Sequence, residues 1–185
     1  MTTSITPALF FATWAETCGV RKSVLLAKWT QAPLFTAEFF DLPNALLAEV
    51  AVRLGQGLRF YAGYYSIDAI FFTDADRVHC APTGQTWVQN IRIAFEHENY
   101  FDSGLFTETS HLMITRAELR VLVSYPGNEG KLDAELQSLA KIIKASNLAE
   151  DPAFLFIAGE RITNFTDICW RGFVYSSGAF QPLNP

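Results

Sequence analysis

The fold is decided by one stretch of the chain, residues 91–99, which reads IRIAFEHEN. The stretch predicts a β-strand, in which successive side chains point to opposite faces of the sheet. Glu96 and Glu98 therefore lie on one face, about 6 to 7 Å apart along the strand, whereas the apolar residues and His97 lie on the other. Two like charges at this spacing favour a divalent cation between them, although such pairs also occur on the wet face of an ordinary sheet.

The composition describes a chain that can bury a substantial core. Its 185 residues are 50% hydrophobic and 18% charged, which favours one well-packed domain over residues 1–185. Three widely spaced cysteines fit reduced thiols, and no signal peptide or membrane span is evident, so the cytoplasm is the expected compartment. The net charge of -5 argues against a broad nucleic-acid-binding surface, unless several acids are gathered at a metal site.

The first third of the chain favours helices. Two short helices divided near Gly19 are predicted within residues 5–31, and a further helix is predicted over residues 41–53. Glu49 lies beside the apolar stripe of this last helix. It is there either a functional carboxylate or one half of an exposed helical pair with Arg53.

Strand periodicity replaces helical periodicity from residue 58 onward. An antiparallel meander is predicted, with strands in residues 60–72, a turn at 73–76 and a return strand at 77–80 before the strand that carries Glu96. Asp68 is the lone acid in a run that is otherwise apolar. A buried aspartate must be ion-paired, hydrogen-bonded or bound to a metal, because its desolvation costs several kcal/mol.

The second half of the chain predicts a strand, a helix and a strand with parallel pairing. A loop at 99–104 and a short helix over 107–117 come first. The later elements are a strand at 119–125, a helix at 131–146, a buried strand at 153–158, an edge strand at 170–175 and a frayed tail at 181–185.

This order of elements resembles the restriction-endonuclease-like, or PD-(D/E)xK, nuclease superfamily in its BamHI-type Glu-x-Glu variant. The resemblance rests on IDAIFF at 67–72, IAFEHEN at 93–99 and RVLVSY at 120–125. It implies an α/β fold, bordering on α+β, with a mixed central sheet of about five strands flanked by helices. Residues 41–158 would form the nuclease-like core, with residues 1–40 as an N-terminal helical extension and residues 159–185 as a C-terminal edge segment and tail.

The resemblance also implies roles for four acids. Asp68 and Glu96 would bind metal on the central strands, and Glu49 would match the helix glutamate that helps to hold metal or water. Glu98 would act as the base-like group, because it stands where most members of the superfamily have lysine. Glu38 takes the place of Glu49 if the helix register differs.

The absence of the usual lysine leaves the activation of water open. Glu98 and the metal would supply it, or else a basic residue from elsewhere, such as Arg116 or Lys131. His97 is expected to be structural because it points away from the acids. His79 and His111 show no partner in the sequence.

The function that the resemblance implies is hydrolysis of phosphodiester bonds in DNA by a Mg²⁺-dependent endonuclease, with Mn²⁺ as a substitute, as a restriction or defence component. Cutting both strands favours a homodimer. The candidate phosphate contacts, which on an ordinary protein would be solvated charges, are Arg21, Lys22, Lys28, Arg77, Arg92 and Arg120.

Two alternatives stay open. One is a non-catalytic immunity or regulatory module whose acidic surface engages a basic partner protein, as the net charge and the missing lysine favour. The other is an unrelated α+β fold without a metal site. A shared metal requires Asp68 and Glu96 on adjacent strands with their carboxylates within about 5 Å.

Overall fold

The computed structural model describes residues 4–41, 43–80, 84–99, 104–146, 153–162 and 166–183, and it contains one mixed sheet of seven strands. The helices are α1 (Pro7–Val20), α2 (Lys22–Lys28), α3 (Ala32–Phe40), α4 (Leu46–Leu54), α5 (Leu105–Ile114) and α6 (Glu129–Ala145), with one 3₁₀ turn at Asp74–Asp76. The strands are β1 (Arg59–Tyr64), β2 (Ile67–Phe72), β3 (Ile91–Glu98), β4 (Ala117–Ser124), β5 (Phe154–Arg161), β6 (Ile168–Ser176) and β7 (Ala179–Pro182).

The seven strands lie side by side in the order in which they occur along the chain. β1, β2 and β3 form the predicted antiparallel meander, and β3, β4 and β5 are parallel to one another. α5 connects β3 to β4, and α6 connects β4 to β5, as parallel pairing requires. β6 and β7 then complete the sheet as antiparallel neighbours of β5.

Helices cover both faces of the sheet. α1 to α4 pack on one face, where Phe71, Phe95 and Val121 join their apolar side chains. α5 and α6 pack on the other face, together with Ile70 and Ala94. The acid-bearing face of β3 is therefore a second buried layer and not a wet surface, because α5 lies over it.

The N-terminal helices form part of this core. α1 begins at Pro7, where the Thr6 side chain caps the helix by accepting a hydrogen bond from the backbone of Leu9. Trp14 on α1 stacks on Phe39 of α3 with ring centroids 5.4 Å apart. Among the first three helices of the chain, α1 and α2 were predicted from the sequence and α3 was not.

One predicted helix boundary and one predicted strand differ from the structure. The helix with Glu49 begins at Leu46 and not near Asp41, because Asp41 closes α3 by donating its N–H to the carbonyl of Ala37. The return strand at residues 77–80 is absent, and only an isolated bridge joins Arg77 to Val88. The predicted loop at 99–104 lies largely outside the described residues.

The prediction of about five strands is wrong, and the sheet has seven. Residues 168–176 form an interior strand, and part of the predicted frayed tail belongs to the edge strand β7. Ser177 and Gly178 connect the two strands with φ angles of 52° and 84°. This two-residue turn with positive φ at both positions matches the twist of a hairpin and brings the tail back onto the sheet.

The turn after β2 is held by a buried ion pair. Asp76 is 1% exposed, and it accepts hydrogen bonds from the backbone and hydroxyl of Thr73 and from two nitrogens of Arg92. Although burial opposes ionisation, these hydrogen bonds lower the pKa of Asp76 to about 2. The predicted turn at residues 73–76 is therefore tied to the first residues of β3.

Replacing Asp76 by asparagine is expected to lower the free energy of unfolding by roughly 2 to 4 kcal/mol, because Arg92 would lose its buried counter-charge. Asp74→Asn is the matched control, since Asp74 lies in the same turn but pairs with Arg59 at the surface. Its loss should be about 1 kcal/mol or less. Urea denaturation measures both values, and equal losses in the two variants would contradict the account.

Candidate metal centre

Asp68 and Glu96 meet where the ladder between β2 and β3 ends. The last paired residues are Ala69 and Phe95. Beyond them the backbone N–H of Asp68 donates to Glu96 Oε2 at 3.0 Å, and the backbone N–H of His97 donates to Asp68 Oδ2 at 2.9 Å. Each carboxylate is thus oriented by the backbone of the neighbouring strand, as two acids on adjacent strands must be if they share a cation.

α5 adds two further side chains to this pair. Glu108 and His111 are three residues apart on the helix and therefore lie on the same side of it. His111 Nδ1 is 3.5 Å from Glu96 Oε1 and 3.4 Å from Glu108 Oε2. One potential ligand atom from each of Glu96, Glu108 and His111 lies within 4.8 Å of the other two.

Two buried polar atoms in this cluster lack a satisfactory partner. Glu96 is 0% exposed, and its Oε1 atom has no hydrogen-bond donor among the described residues, other than a proton shared with a neighbouring carboxyl group. His111 Nδ1 is also buried and makes no hydrogen bond within the described part of the chain. Such atoms are rare in folded proteins and call for an explanation. An ion held by the carboxylates and the imidazole would satisfy both, so the side chains present fit a divalent cation.

The electrostatics of the cation-free cluster favour protonation. The pKa of Glu96 is raised to about 10, chiefly by burial and also by the negative charge of the nearby Asp68 carboxylate. Burial, followed by the charge of Asp68, also raises the pKa of Glu108. The pKa of Asp68 is raised by burial as well, although the N–H of His97 opposes the shift. Without a cation, Glu96 therefore holds a proton at neutral pH.

Glu98 has a different position from the one that its spacing suggests. Its carboxylate lies against Gly104, the residue that precedes α5, where an added Cβ would come within 1.8 Å of Glu98 Oε2. The negative charge is favourable there because the N-terminus of a helix carries partial positive charge. Its carboxylate nevertheless raises the pKa of Glu108, after the larger effects of burial and Asp68.

Glu49 belongs to a surface network in the opposite helical layer. It accepts hydrogen bonds from Arg21 at 3.1 Å and from Arg53 at 3.0 Å. Burial alone would raise the pKa of Glu49, but these two arginines outweigh it and lower the pKa below its ordinary value. Glu38, the alternative helix carboxylate, pairs with Lys28 and Arg21 in the same network. The structure thus brings two of the four sequence-predicted acids together in the cluster.

His97 has the structural environment expected from its alternation. Its ring packs against Phe39 with centroids 4.6 Å apart, and its Nε2 atom lies 2.6 Å from the hydroxyl oxygen of Tyr125. Burial lowers the pKa of His97 to about 3. The ring is therefore neutral at physiological pH and lies on the face of β3 away from the acids.

Most of the candidate phosphate contacts have intramolecular partners, either in the interior or at the surface. Arg120 is buried and donates to the carbonyls of Leu112, Thr115 and Ala117. Arg116 lies beside the first residue of β4, whereas Glu96 lies near the last residues of the parallel strand β3. Arg116 is thus at the opposite end of the sheet from the acids. The other engaged cations form ion pairs, and they are Arg21, Lys22, Lys28 and Arg92.

Comparison with known proteins does not assign the chain to a family. Neither a family model nor a curated protein sequence matches it. Within the described residues, none of the helices combines the length and apolar character needed to cross a bilayer.

Glu108 and His111 were missed as candidate residues by the sequence reasoning. A signal for them was present, because both fall within the predicted helix at 107–117 at a spacing of three residues. The same helix directly follows the strand that carries Glu96. An acid and a histidine on one helical face after an acid-bearing strand would have justified placing them together.

Replacing Glu96 by glutamine is expected to stabilise the protein at pH 8 in the presence of a chelator. Because the pKa of Glu96 is about 10 in the folded chain and near 4.5 when unfolded, the free energy of unfolding falls as the pH rises between these values. Glutamine removes this dependence, and we expect a gain of roughly 1 to 3 kcal/mol at pH 8 that disappears at pH 4.

Glu49→Gln is the control with the opposite sign. Because its pKa is lowered in the folded protein, Glu49 stabilises the fold above the ordinary carboxyl pKa, and this contribution is lost as the pH falls. The variant should be slightly less stable than wild type at pH 8. Urea denaturation at pH 4 and pH 8 measures both effects. A Glu96→Gln variant that is less stable than wild type at pH 8 would contradict the protonation of Glu96 in the cation-free protein.

Proposed function

We propose that the protein is a divalent-cation-dependent phosphodiesterase that cleaves DNA. The observation that carries the proposal is the buried, unsatisfied Glu96 Oε1 atom, whose potential ligand neighbours Glu108 and His111 lie within 4.8 Å, with Asp68 anchored on the adjacent strand. Support for the substrate comes from the resemblance to the PD-(D/E)xK nucleases, which places metal-binding acids at Asp68 and Glu96. The neighbouring strands and reciprocal hydrogen bonds of these two residues agree with that placement.

The residues have distinct tasks in this proposal. Asp68, Glu96, Glu108 and His111 would hold the cation, which when bound neutralises charge on phosphoryl oxygens and activates water. The backbone N–H groups of Asp68 and His97 orient the two strand carboxylates before any ligand binds. These hydrogen bonds reduce the reorganisation needed for binding.

Glu108 is the carboxylate best suited to accept a proton from water. Its side chain is 21% exposed, so that it is more accessible to water than the fully buried Glu96. His111 is 30% exposed beside it, so substrate would approach along this flank of α5. The Glu98 carboxylate, at the N-terminus of α5, adds negative charge near Glu108.

A second candidate is the non-catalytic binding of a basic partner protein. The specific observation in its favour is that Arg21, Lys22, Lys28 and Arg92 are in ion pairs and Arg120 is buried, so these cations already have partners within the protein. The two candidates predict different results with metal and DNA. A binding module can take up the cation without cutting.

Wild-type protein is expected to cleave supercoiled plasmid in Mn²⁺ or Mg²⁺. In Asp68→Asn and in Glu96→Gln the cleavage rate should fall by roughly 100-fold or more, because each substitution removes a cation-binding charge. Glu49→Gln should cleave at the wild-type rate, since Glu49 lies in the opposite helical layer. The nicked and linear products are measured separately, because a homodimer, which remains a prediction, would produce linear DNA in one encounter.

Two results would overturn the nuclease proposal. Equal cleavage by wild type and both site variants would show that the activity arises elsewhere. Cation binding by the wild type without cleavage of single-stranded or double-stranded DNA would favour the second candidate. Loss of cleavage in a folded Glu49→Gln variant would show that Glu49 contributes to the activity.

A further inference from the structure

His111 gives the candidate centre a nitrogen ligand in addition to its carboxylates. We propose that the centre prefers a first-row transition-metal dication, such as Mn²⁺ or Zn²⁺, to Mg²⁺, and that His111 sets this preference. The inference rests on the metal site of the proposed function but not on catalysis. It reverses the order expected from the nuclease resemblance, in which Mg²⁺ is the resident ion.

The Nδ1 atom of His111 is close to two carboxylates at once. It lies 3.5 Å from Glu96 Oε1 and 3.4 Å from Glu108 Oε2. Two ligands on opposite sides of one ion, at bonds of 2.0 to 2.2 Å, are about 4 Å apart. The ligand atoms of Glu96, Glu108 and His111 lie within 4.8 Å of one another, which is close to the separation of two ligands bound to a single ion.

His111 Nδ1 lies at ion-pair distance from two carboxylates but does not form a hydrogen bond with either of them. The atom is buried and makes no hydrogen bond within the described residues. Glu96 Oε1 is buried as well and lacks a donor other than a shared proton. A neutral imidazole with its proton on Nε2 presents a lone pair at Nδ1, which is the form that binds metal.

The backbone keeps the imidazole in place. Thr109, Leu112 and Met113 of α5 are buried against the sheet, which fixes the rotation of the helix about its axis. That rotation directs positions 108 and 111 towards the end of β3. The nitrogen ligand is thus presented by a packed helix and not by a mobile loop, so its contribution is preorganised.

The chemistry of the ligand set gives the preference. Mg²⁺ favours an octahedral shell of oxygen atoms and gains little from an imidazole, whereas transition-metal dications bind nitrogen well. Within the first-row series, the affinity of a mixed nitrogen and oxygen site rises from Mn²⁺ towards Cu²⁺. A site of carboxylates and one imidazole therefore discriminates against Mg²⁺ while keeping enough negative charge to bind a dication.

The test is calorimetric titration of the full chain with Mn²⁺ and with Mg²⁺, combined with electron spin echo spectroscopy of the bound Mn²⁺. Wild type is expected to bind Mn²⁺ at least about tenfold more tightly than Mg²⁺. The Mn²⁺ spectrum should show coupling to an imidazole nitrogen. In His111→Asn that coupling should vanish and the affinity for Mn²⁺ should fall by about tenfold or more.

His111→Asp supplies the reciprocal test, because an oxygen ligand replaces the nitrogen. It should bind Mg²⁺ more tightly than His111→Asn does and should reduce the ratio of Mn²⁺ to Mg²⁺ affinity. His79→Asn is the matched control, since His79 is exposed and lies apart from the cluster, and it should change neither affinity nor spectrum. Circular dichroism and the urea midpoint establish that each variant is folded.

The outcomes separate this inference from the proposed function. Equal affinities for the two ions in wild type, or nitrogen coupling that survives in His111→Asn, would overturn the role of His111. Binding of neither ion would overturn both the inference and the nuclease proposal. Selective Mn²⁺ binding without DNA cleavage would uphold the inference and remove only the catalytic function.

Discussion

The constraint on which the site depends is the burial of the Glu96 carboxyl group. A carboxylate loses several kcal/mol of hydration when it enters a protein core, so it must be protonated, ion-paired or bound to a cation. In the cation-free cluster, burial and the charge of Asp68 raise the pKa of Glu96 to about 10, so that the group is protonated. Cation binding would release that proton, and the stability of this part of the fold is therefore linked to both pH and metal.

The sheet converts this local constraint into a site. The backbone pairing of β2 and β3 ends at Ala69 and Phe95. Beyond this point the carboxylates of Asp68 and Glu96 accept hydrogen bonds from backbone N–H groups of the neighbouring strand. The change from antiparallel to parallel pairing at β3 brings α5 across the acid-bearing face, because the chain must cross over before it can enter β4. Glu108 and His111 reach the cluster through that connection.

The amino-acid pattern predicts the parts of this arrangement that depend on local periodicity. Alternation along residues 91–98 places Glu96 opposite His97, and the lone acid among apolar residues singles out Asp68. The parallel pairing of β4 and β5 also follows from the order of strand, helix and strand. The hairpin of β6 and β7 has a local signal too, in Ser177 and Gly178, but it was not used.

The remaining features depend on tertiary packing. Alternation alone cannot show that the Glu98 carboxylate turns towards Gly104, because that contact requires the start of α5 to be placed in space. Nor can it show that Glu49 is balanced by Arg21, which lies 28 residues earlier in the chain. The rotation of α5 about its axis likewise decides that His111 faces Glu96. These contacts determine the candidate site more strongly than residue type does.

The most direct test of the central claim is the anomalous difference density from crystals of the protein grown with Mn²⁺. We expect one strong peak bounded by Glu96, Glu108 and His111, with Asp68 on its strand side and Glu49 still paired with its arginines. A peak at another location, or well-ordered crystals with the four side chains resolved and no Mn²⁺ among them, would contradict a metal centre at this point of the fold.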